Sequence, residues 1–193
     1  MEFDSVIEKR KSVRTFTQKK PNWKKLIEAI DTTTQNPFAG NHNNLKYLII
    51  ENKKTIKEVS KIAEQPWISL SPSLIIVCSD DSHLEDKYGE RGRVYSRQQA
   101  GAAIQTLLLK IVDLGLSACW VGAYSDEILK QKLKIPQHIQ IEAVIPIGHE
   151  NTKEKQHKEK KIELENTLFW EGWQQDKRTP LFKEPKDDKS LVQ

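Results

Sequence analysis

Arg10, Ser12 and Arg14 fall at alternate positions in the segment Arg10-Lys11-Ser12-Val13-Arg14-Thr15-Phe16. In an extended backbone, side chains two positions apart point to the same side. Two guanidinium groups and a hydroxyl on one line would suit a phosphate, followed by a polar chain and a ring carbonyl. A solvated helix end with basic residues near its C-terminus is the commoner arrangement. Spacing alone favours that plainer account.

Other chemistries have less support. The histidines at 42, 83, 138, 149 and 157 form no HxxxH or HxH pair, and each reads as a surface or hydrogen-bonding histidine. No GxSxG elbow occurs. Cys78 and Cys119 lie far apart with no CxxC, which excludes a disulfide framework and a structural zinc site. Cys119 sits in an apolar run and reads as a packed thiol. A chain with none of these can still be an enzyme when a cofactor supplies the reactivity.

The 193 residues suit one domain or one domain with an appendage. Apolar residues make up 37% and charged residues 30%, but the apolar ones cluster into runs that can build a core. No stretch approaches the ~20 apolar residues of a membrane helix. The start, MEFDSVIEKR, has acids where a signal peptide has its apolar region, so a soluble, cytoplasmic protein without membrane partners is expected. A net charge of +4 is too small and too mixed to indicate a nucleic-acid binder. Asn151 to Lys161 is locally basic, with five lysines and two glutamates, and reads as a solvated loop.

The elements that must position the basic segment follow from periodicity. Ser5 and Glu8 have capping-box spacing, so a helix is expected from near Ser5, with Val6 and Ile7 making its first apolar contacts. A second helix follows Pro21, with Trp23, Leu26, Ile27 and Ile30 at helical spacing. Thr32 to Asn44 reads as a loop. Tyr47 to Ile50, Ser73 to Cys78, Leu116 to Ala123 and Ile139 to Ile147 read as strands. Lys53 to Glu64 and Val94 to Leu114 read as helices, the latter stopped by Gly115. Ser125 is placed as the cap of a short helix through Leu133. Asp80 to Arg93 reads as an irregular, charged excursion. Leu168, Phe169, Trp170 and Trp173 recur at helical spacing, which favours packing. The alternation implies mixed α and β structure around one central sheet. No GxGxxG or GxxxxGK[ST] supports a dinucleotide fold or a P-loop.

Four motifs taken together resemble the nitroreductase family of FMN-dependent oxidoreductases. RKSVRTF resembles its RRSxRxF signature, and Asn36-Pro37-Phe38-Ala39-Gly40-Asn41 its APSxxN loop. Ala100 to Leu109, followed by Gly115 to Gly122 (GLSACWVG), resembles its QNLLLAA…GLGxxWxG block. Ala143 to Gly148 with the basic loop beyond resembles its closing strand and phosphate-contacting residues. The resemblance implies an α+β fold with a mostly antiparallel sheet flanked by helices. It implies an FMN-binding domain over 1–165 and a C-terminal extension over 166–193. It also implies a homodimer whose two subunits share each flavin site, NADH or NADPH as donor, and a small-molecule substrate.

By position, the cofactor would be held by Arg10, Lys11, Ser12, Arg14, Asn41, Val121, Gly122, and Lys160 or Lys161. Arg10 and Ser12 would meet the phosphate and ribityl end. Arg14 would lie near the N1–C2=O edge, and Asn41 would bond the pyrimidine edge. Backbone at Val121 and Gly122 would approach N5, and one of the two lysines would complete the phosphate site. The sequence departs from the family pattern at Phe38, at His42 to Leu45, at Gln99 and at Thr106, which bears more on substrate than on flavin. Three alternatives stay open. One is a flavin carrier or sensor without turnover. Another is a specialised member such as a dehalogenase, with residues 80–93 as a substrate lid. The third is nucleic-acid binding through Lys153 to Lys161 with Trp170 and Trp173.

Overall fold

A computed structural model of the chain describes residues 1–152 and 167–173. Contacts divide the chain into two units, 1–156 and 157–193. In the second unit, residues 167–173 form turns rather than the helix that their spacing suggested, and the Phe169 and Trp173 rings lie 5.0 Å apart.

The first unit is built on four antiparallel strands, β1 (Leu45–Ile50), β2 (Ser73–Asp80), β3 (Ser117–Ala118) and β4 (Ile139–Gly148), in the order β1-β2-β4-β3. Six helices accompany them: α1 (Phe3–Lys9), α2 (Trp23–Thr32), α3 (Lys53–Ile62), α4 (Ser82–Tyr88), α5 (Glu90–Asp113) and α6 (Asp126–Leu133). β2 lies between two partners and is buried on both faces. Its alternate residues therefore feed two cores. Ile75 and Val77 pack with Leu26 of α2 and Ile104, Leu107 and Ile111 of α5. Leu74, Ile76 and Cys78 pack on the other face with Ile56 and Val59 of α3 and Leu129 of α6. The result is the expected α+β arrangement, with helices on both sides of one antiparallel sheet.

β4 breaks its own alternation. Val77 pairs with Ala143, but Cys78 pairs with Ile141, which leaves Glu142 as an extra residue. This bulge moves Ile141 onto the α3–α6 face, whereas Ala143, Ile145 and Ile147 stay on the α5 face. Glu142 is aimed at Ser79, which donates to it at 2.5 Å, and at Arg97, which lies 2.9 Å away. Arg97 also pairs with Asp81, and Ser96 donates to the same carboxylate.

Several expected boundaries shift. The first helix begins at Phe3, with Glu2 in the capping position, so Ser5 lies inside the helix and its spacing to Glu8 is not a capping box. Val6 is buried, but Ile7 faces outward. The segment 80–93 is helical: α4 and the first turn of α5 meet at Gly89, whose positive φ makes the elbow. Its charges find partners, Arg93 with Glu85 within the segment and Asp81 with Arg97 just beyond it, so a charged stretch folds as two packed helices. The third strand is short, with only an isolated bridge from Val121 to Val144 beyond it. Ser125 occupies the position before α6 without a side-chain capping bond.

Burial pushes the Glu142 carboxyl above the ordinary carboxylate range, against the Ser79 hydroxyl and Arg97. A carboxyl raised in this way stabilises the fold below its unfolded pKa and loses that contribution as pH rises through its native value. Glu142→Gln removes the dependence. In denaturant unfolding, the stability of the variant relative to the unmodified protein should be higher near about pH 8 than near about pH 5.

Candidate functional site

The basic segment leaves α1 at Arg10, whose φ and ψ of −63° and 120° are extended. It is then pinned to the sheet by backbone. Val13 N–H donates to Ala118 O at 3.0 Å, Thr17 N–H to His149 O at 2.8 Å, and Asn151 N–H to Thr15 O at 3.1 Å. Ser12 thus runs parallel to β3, and Phe16 pairs antiparallel with Glu150 just past β4. The side-chain anchors are Val13 and Phe16, both buried. They have opposite parity, so the strict period-two line does not extend beyond Arg14.

Gly148 makes this crossing possible. A Cβ there would stand 2.8 Å from Pro72 Cδ and 3.0 Å from Phe16 Cδ1, closer than side-chain atoms pack. The target strand is delivered by the end of α5. Gly115 has φ of +72° and donates to Val112 O, while Leu116 N–H reaches back to Ile111 O. That Schellman ending turns the chain directly into β3.

Lys11 extends outward to Glu150 at 2.7 Å. The Arg14 guanidinium lies 6.0 Å from the centre of the Trp67 ring and has no carboxylate partner among the described residues. Trp67 belongs to a 3₁₀ turn over Pro66–Leu70 and donates through Nε1 to Gln65 Oε1 at 3.2 Å. Gln65 Nε2 in turn donates to Ala123 O at 3.4 Å. Arg14, Trp67, Gln65 and Ala123 are therefore linked, and Gly122 stands next to Ala123. A Cβ at Gly122 would meet open space. Val121 is less available, since its N–H and C=O both bond Val144 at 3.0 Å. Trp67 and Gln65 were not singled out from the sequence; a tryptophan beside Pro66 at a predicted helix end was the available signal.

Asn41 stands elsewhere. Its φ is +57°, in the 3₁₀ turn Ala39–Asn41, and its loop is held by α5. Ala39 N–H donates to Gln99 Oε1 at 3.0 Å, Gln99 bonds Asn44, and Asn44 Nδ2 donates to Ser96 at 2.8 Å. Thr106 donates to Asn36 at 2.7 Å. Sheet register sets the separation from the basic segment. Leu45, just after this loop, pairs with Ser79, while Ser73 pairs with Ile147 at the end that receives Phe16. Six residues of β2 amount to about 20 Å. One chain thus holds Ser12 against Ala118 and links Arg14 through Trp67 and Gln65 to Ala123, and leaves Asn41 at the far end of the sheet. Lys160 and Lys161 lie outside the described residues.

The residues present fit FMN. Extended backbone carries two guanidiniums and a hydroxyl for a phosphate and polar chain. An arginine, a tryptophan and an open glycine stand beside them for a flat ring. Of the histidines, His42 stacks on His83 with ring centroids 4.0 Å apart. Both cysteines are buried. Burial, with Glu142 and Asp126 nearby, pushes the Cys78 thiol up to about 12, far from a thiolate nucleophile. No described helix is long and apolar enough to cross a membrane.

Comparison with known proteins agrees with the fold. A family model described as "Nitroreductase family" matches residues 63–149. A Methanothermobacter thermautotrophicus protein provisionally named NADH dehydrogenase/NAD(P)H nitroreductase is 26% identical over 156 residues, which cover 77% of this chain and 78% of that protein. A nitroreductase family protein from Clostridium novyi has a solved structure that superposes with a TM-score of 0.73 at 26% identity, covering 79% of this chain and 87% of that one. An FMN-dependent nitroreductase from Clostridium difficile shares the fold at a TM-score of 0.73 and 17% identity, over 87% and 98% of the two chains.

Two outcomes follow from the packing. Gly148→Ala forces Phe16 or Pro72 aside and should cost ~1–3 kcal/mol in denaturant unfolding. An aromatic disulfide reagent should label neither cysteine in the folded protein and both after unfolding.

Proposed function

We propose that the chain is a member of the nitroreductase family and an FMN-dependent oxidoreductase, taking hydride from NADH or NADPH to reduce a small organic acceptor such as a quinone or nitroaromatic. The observation that carries the reading is the pinned segment: Arg10, Ser12 and Arg14 lie in a stretch held to the sheet at Ala118, with Arg14 linked through Trp67 and Gln65 to Ala123, next to Gly122. The names of two relatives, one an NAD(P)H nitroreductase and one FMN-dependent, support the donor and the cofactor.

Bound FMN would supply a two-electron centre that takes up hydride and hands it on. Arg10 and Ser12 would hold the phosphate through charge-assisted and hydroxyl bonds. One of Lys160 and Lys161 would add a further positive charge there. Arg14, without a carboxylate partner among the described residues, would oppose the negative charge that collects at the N1–C2=O edge. A preorganised cation of this kind favours hydride uptake most where water is excluded, and the Trp67 ring beside Arg14 provides apolar cover. Gly122 leaves room for a ring plane to approach backbone. Donor and acceptor would use one open face in turn, a ping-pong order.

A homodimer belongs to the same reading. Asn41 is about 20 Å of strand from the basic segment within one chain, so its contact with the same flavin requires a second copy. Two faces suit such a partner: Phe3 and Ile7 on α1, and Trp23 and Ile27 on α2, are exposed apolar pairs one turn apart.

Purified protein should be yellow, bleach anaerobically with NADH or NADPH, and recover colour with a quinone or nitroaromatic. Arg10→Ala and Ser12→Ala should each weaken FMN binding by roughly 10–100-fold. Arg14→Ala should retain flavin and slow its reduction by about 10–100-fold. Colourless protein that takes up no added FMN overturns the reading.

A further inference from the structure

A cavity of about 240 Å³ opens beside the basic segment and is lined by Gln18, Lys20, Lys53, Ile56, Lys57, Ser69, Ser71 and Pro72. Its floor is Ile56, Pro72 and Ser71, all buried, and the Ser71 hydroxyl is already committed to Ser73 O and Ile147 O. Its rim carries three ammonium groups and no carboxylate. None of Lys20, Lys53 and Lys57 has a hydrogen bond or ion pair among the described residues. Four other lysines of the described residues find acids: Lys11 pairs with Glu150, Lys110 with Glu28 and Asp113, Lys130 with Asp126, and Lys132 with Glu58. Around this cavity, repulsion among three like charges stands unrelieved.

The position of Lys53 sharpens the point. It opens α3, whose first turn holds no acidic residue, so its charge opposes the helix dipole as well as its neighbours. Both costs are removed by one kind of occupant, a compact multivalent anion. The volume exceeds that of a bare phosphate and leaves room for part of a sugar. The Ser69 hydroxyl and Gln18 amide on the rim can bond phosphate oxygens or an adjoining hydroxyl.

We infer that this cavity binds a terminal phosphate group, gripped by Lys20, Lys53 and Lys57. The chemistry has two sources, the 2′-phosphate that distinguishes NADPH from NADH, and free inorganic phosphate. The cavity lies close to the ring-binding side chains, since Gln18 follows four residues after Arg14 and Ser69 shares the 3₁₀ turn of Trp67. The donor source rests on the flavin reading; phosphate binding itself does not.

Calorimetric titration of FMN-saturated protein tests the inference, because saturation occupies the groups around Arg10 and Ser12. Inorganic phosphate, NADP⁺ and NAD⁺ are titrated into the unmodified protein and into Lys53→Gln/Lys57→Gln. Both lysines are exposed, and the variant loses a charge that opposes its helix, so folding is retained and checked by circular dichroism. Phosphate affinity should fall about tenfold or more in the variant. NADP⁺ binding more tightly than NAD⁺, with that preference lost in the variant, identifies the donor as the source. Equal binding of the two nucleotides, with phosphate affinity lost, identifies free phosphate. If neither phosphate nor NADP⁺ binds the unmodified protein more tightly than the variant, the inference is overturned. A protein that takes up no FMN defeats the flavin reading at the saturation step, and the same comparison without flavin still reads the lysines.

Discussion

Three backbone hydrogen bonds decide what the N-terminal basic residues can do. Val13 to Ala118, Thr17 to His149 and Asn151 to Thr15 turn a charged stretch into an extra edge of the sheet. Without them, Arg10 to Arg14 would be the solvated end of a short helix, with long side chains sampling many rotamers. With them, the backbone is satisfied and extended, and buried Val13 and Phe16 hold it from beneath. Gly148 admits Phe16 to that position, and Gly115 steers α5 into the strand that receives Val13. A cluster of cations becomes an ordered, extended segment because the neighbouring chain is short of side-chain atoms in one place and bends left-handed in another.

The opposite end of the sheet is moored by polar contacts beside a small apolar cluster. The Glu142 bulge, Ser79, Asp81, Ser96 and Arg97 form one bonded group under the start of α5. Gln99, a turn further along, holds the loop of Asn41 through Ala39 and Asn44. α5 is therefore a rigid ruler between the Asn41 loop and the strand that receives the basic segment. Its small residues Ala100 and Ala103 lie under Leu45, with Phe38 packed against the same cluster. Changes at Gln99 would act on Asn41 through loop geometry, with no direct contact to a ring.

Much of this was legible in the residues. Runs of apolar side chains marked all four strands and the long helix, because burial and periodicity are carried by each residue independently. The extended state of Arg10 to Arg14 was not decided by its own spacing, since its bonding partners lie more than 100 residues away in the chain; motif resemblance supplied what local reasoning could not. The helical nature of 80–93 was hidden for a related reason. Its charges look solvated one by one, and only the fold shows Arg97 between Asp81 and Glu142. The bulge at Glu142 left no trace either, because IQIEAVIPI reads as one continuous strand. Trp67 and Gln65 escaped notice because their role depends on Arg14 and Ala123, which are distant in sequence and adjacent in space.

Distance gives the dimer proposal its physical force. A flavin ring and its ribityl phosphate reach from one end of a pocket to the other, but a folded strand cannot shorten. The six residues of β2 between the partners of Leu45 and Ile147 hold the Asn41 loop about 20 Å from the basic segment, and fourteen residues of α5 from Gln99 to Asp113 repeat that span at 1.5 Å each. Both rulers lie in the core of the unit, so no local hinge brings the two ends together. A two-fold operation that packs α1 and α2 against their counterparts would juxtapose opposite ends of neighbouring sheets, and would cover Phe3, Ile7, Trp23 and Ile27 in the same step. Completing the cofactor site and burying those apolar residues are then one event, and flavin affinity becomes linked to association.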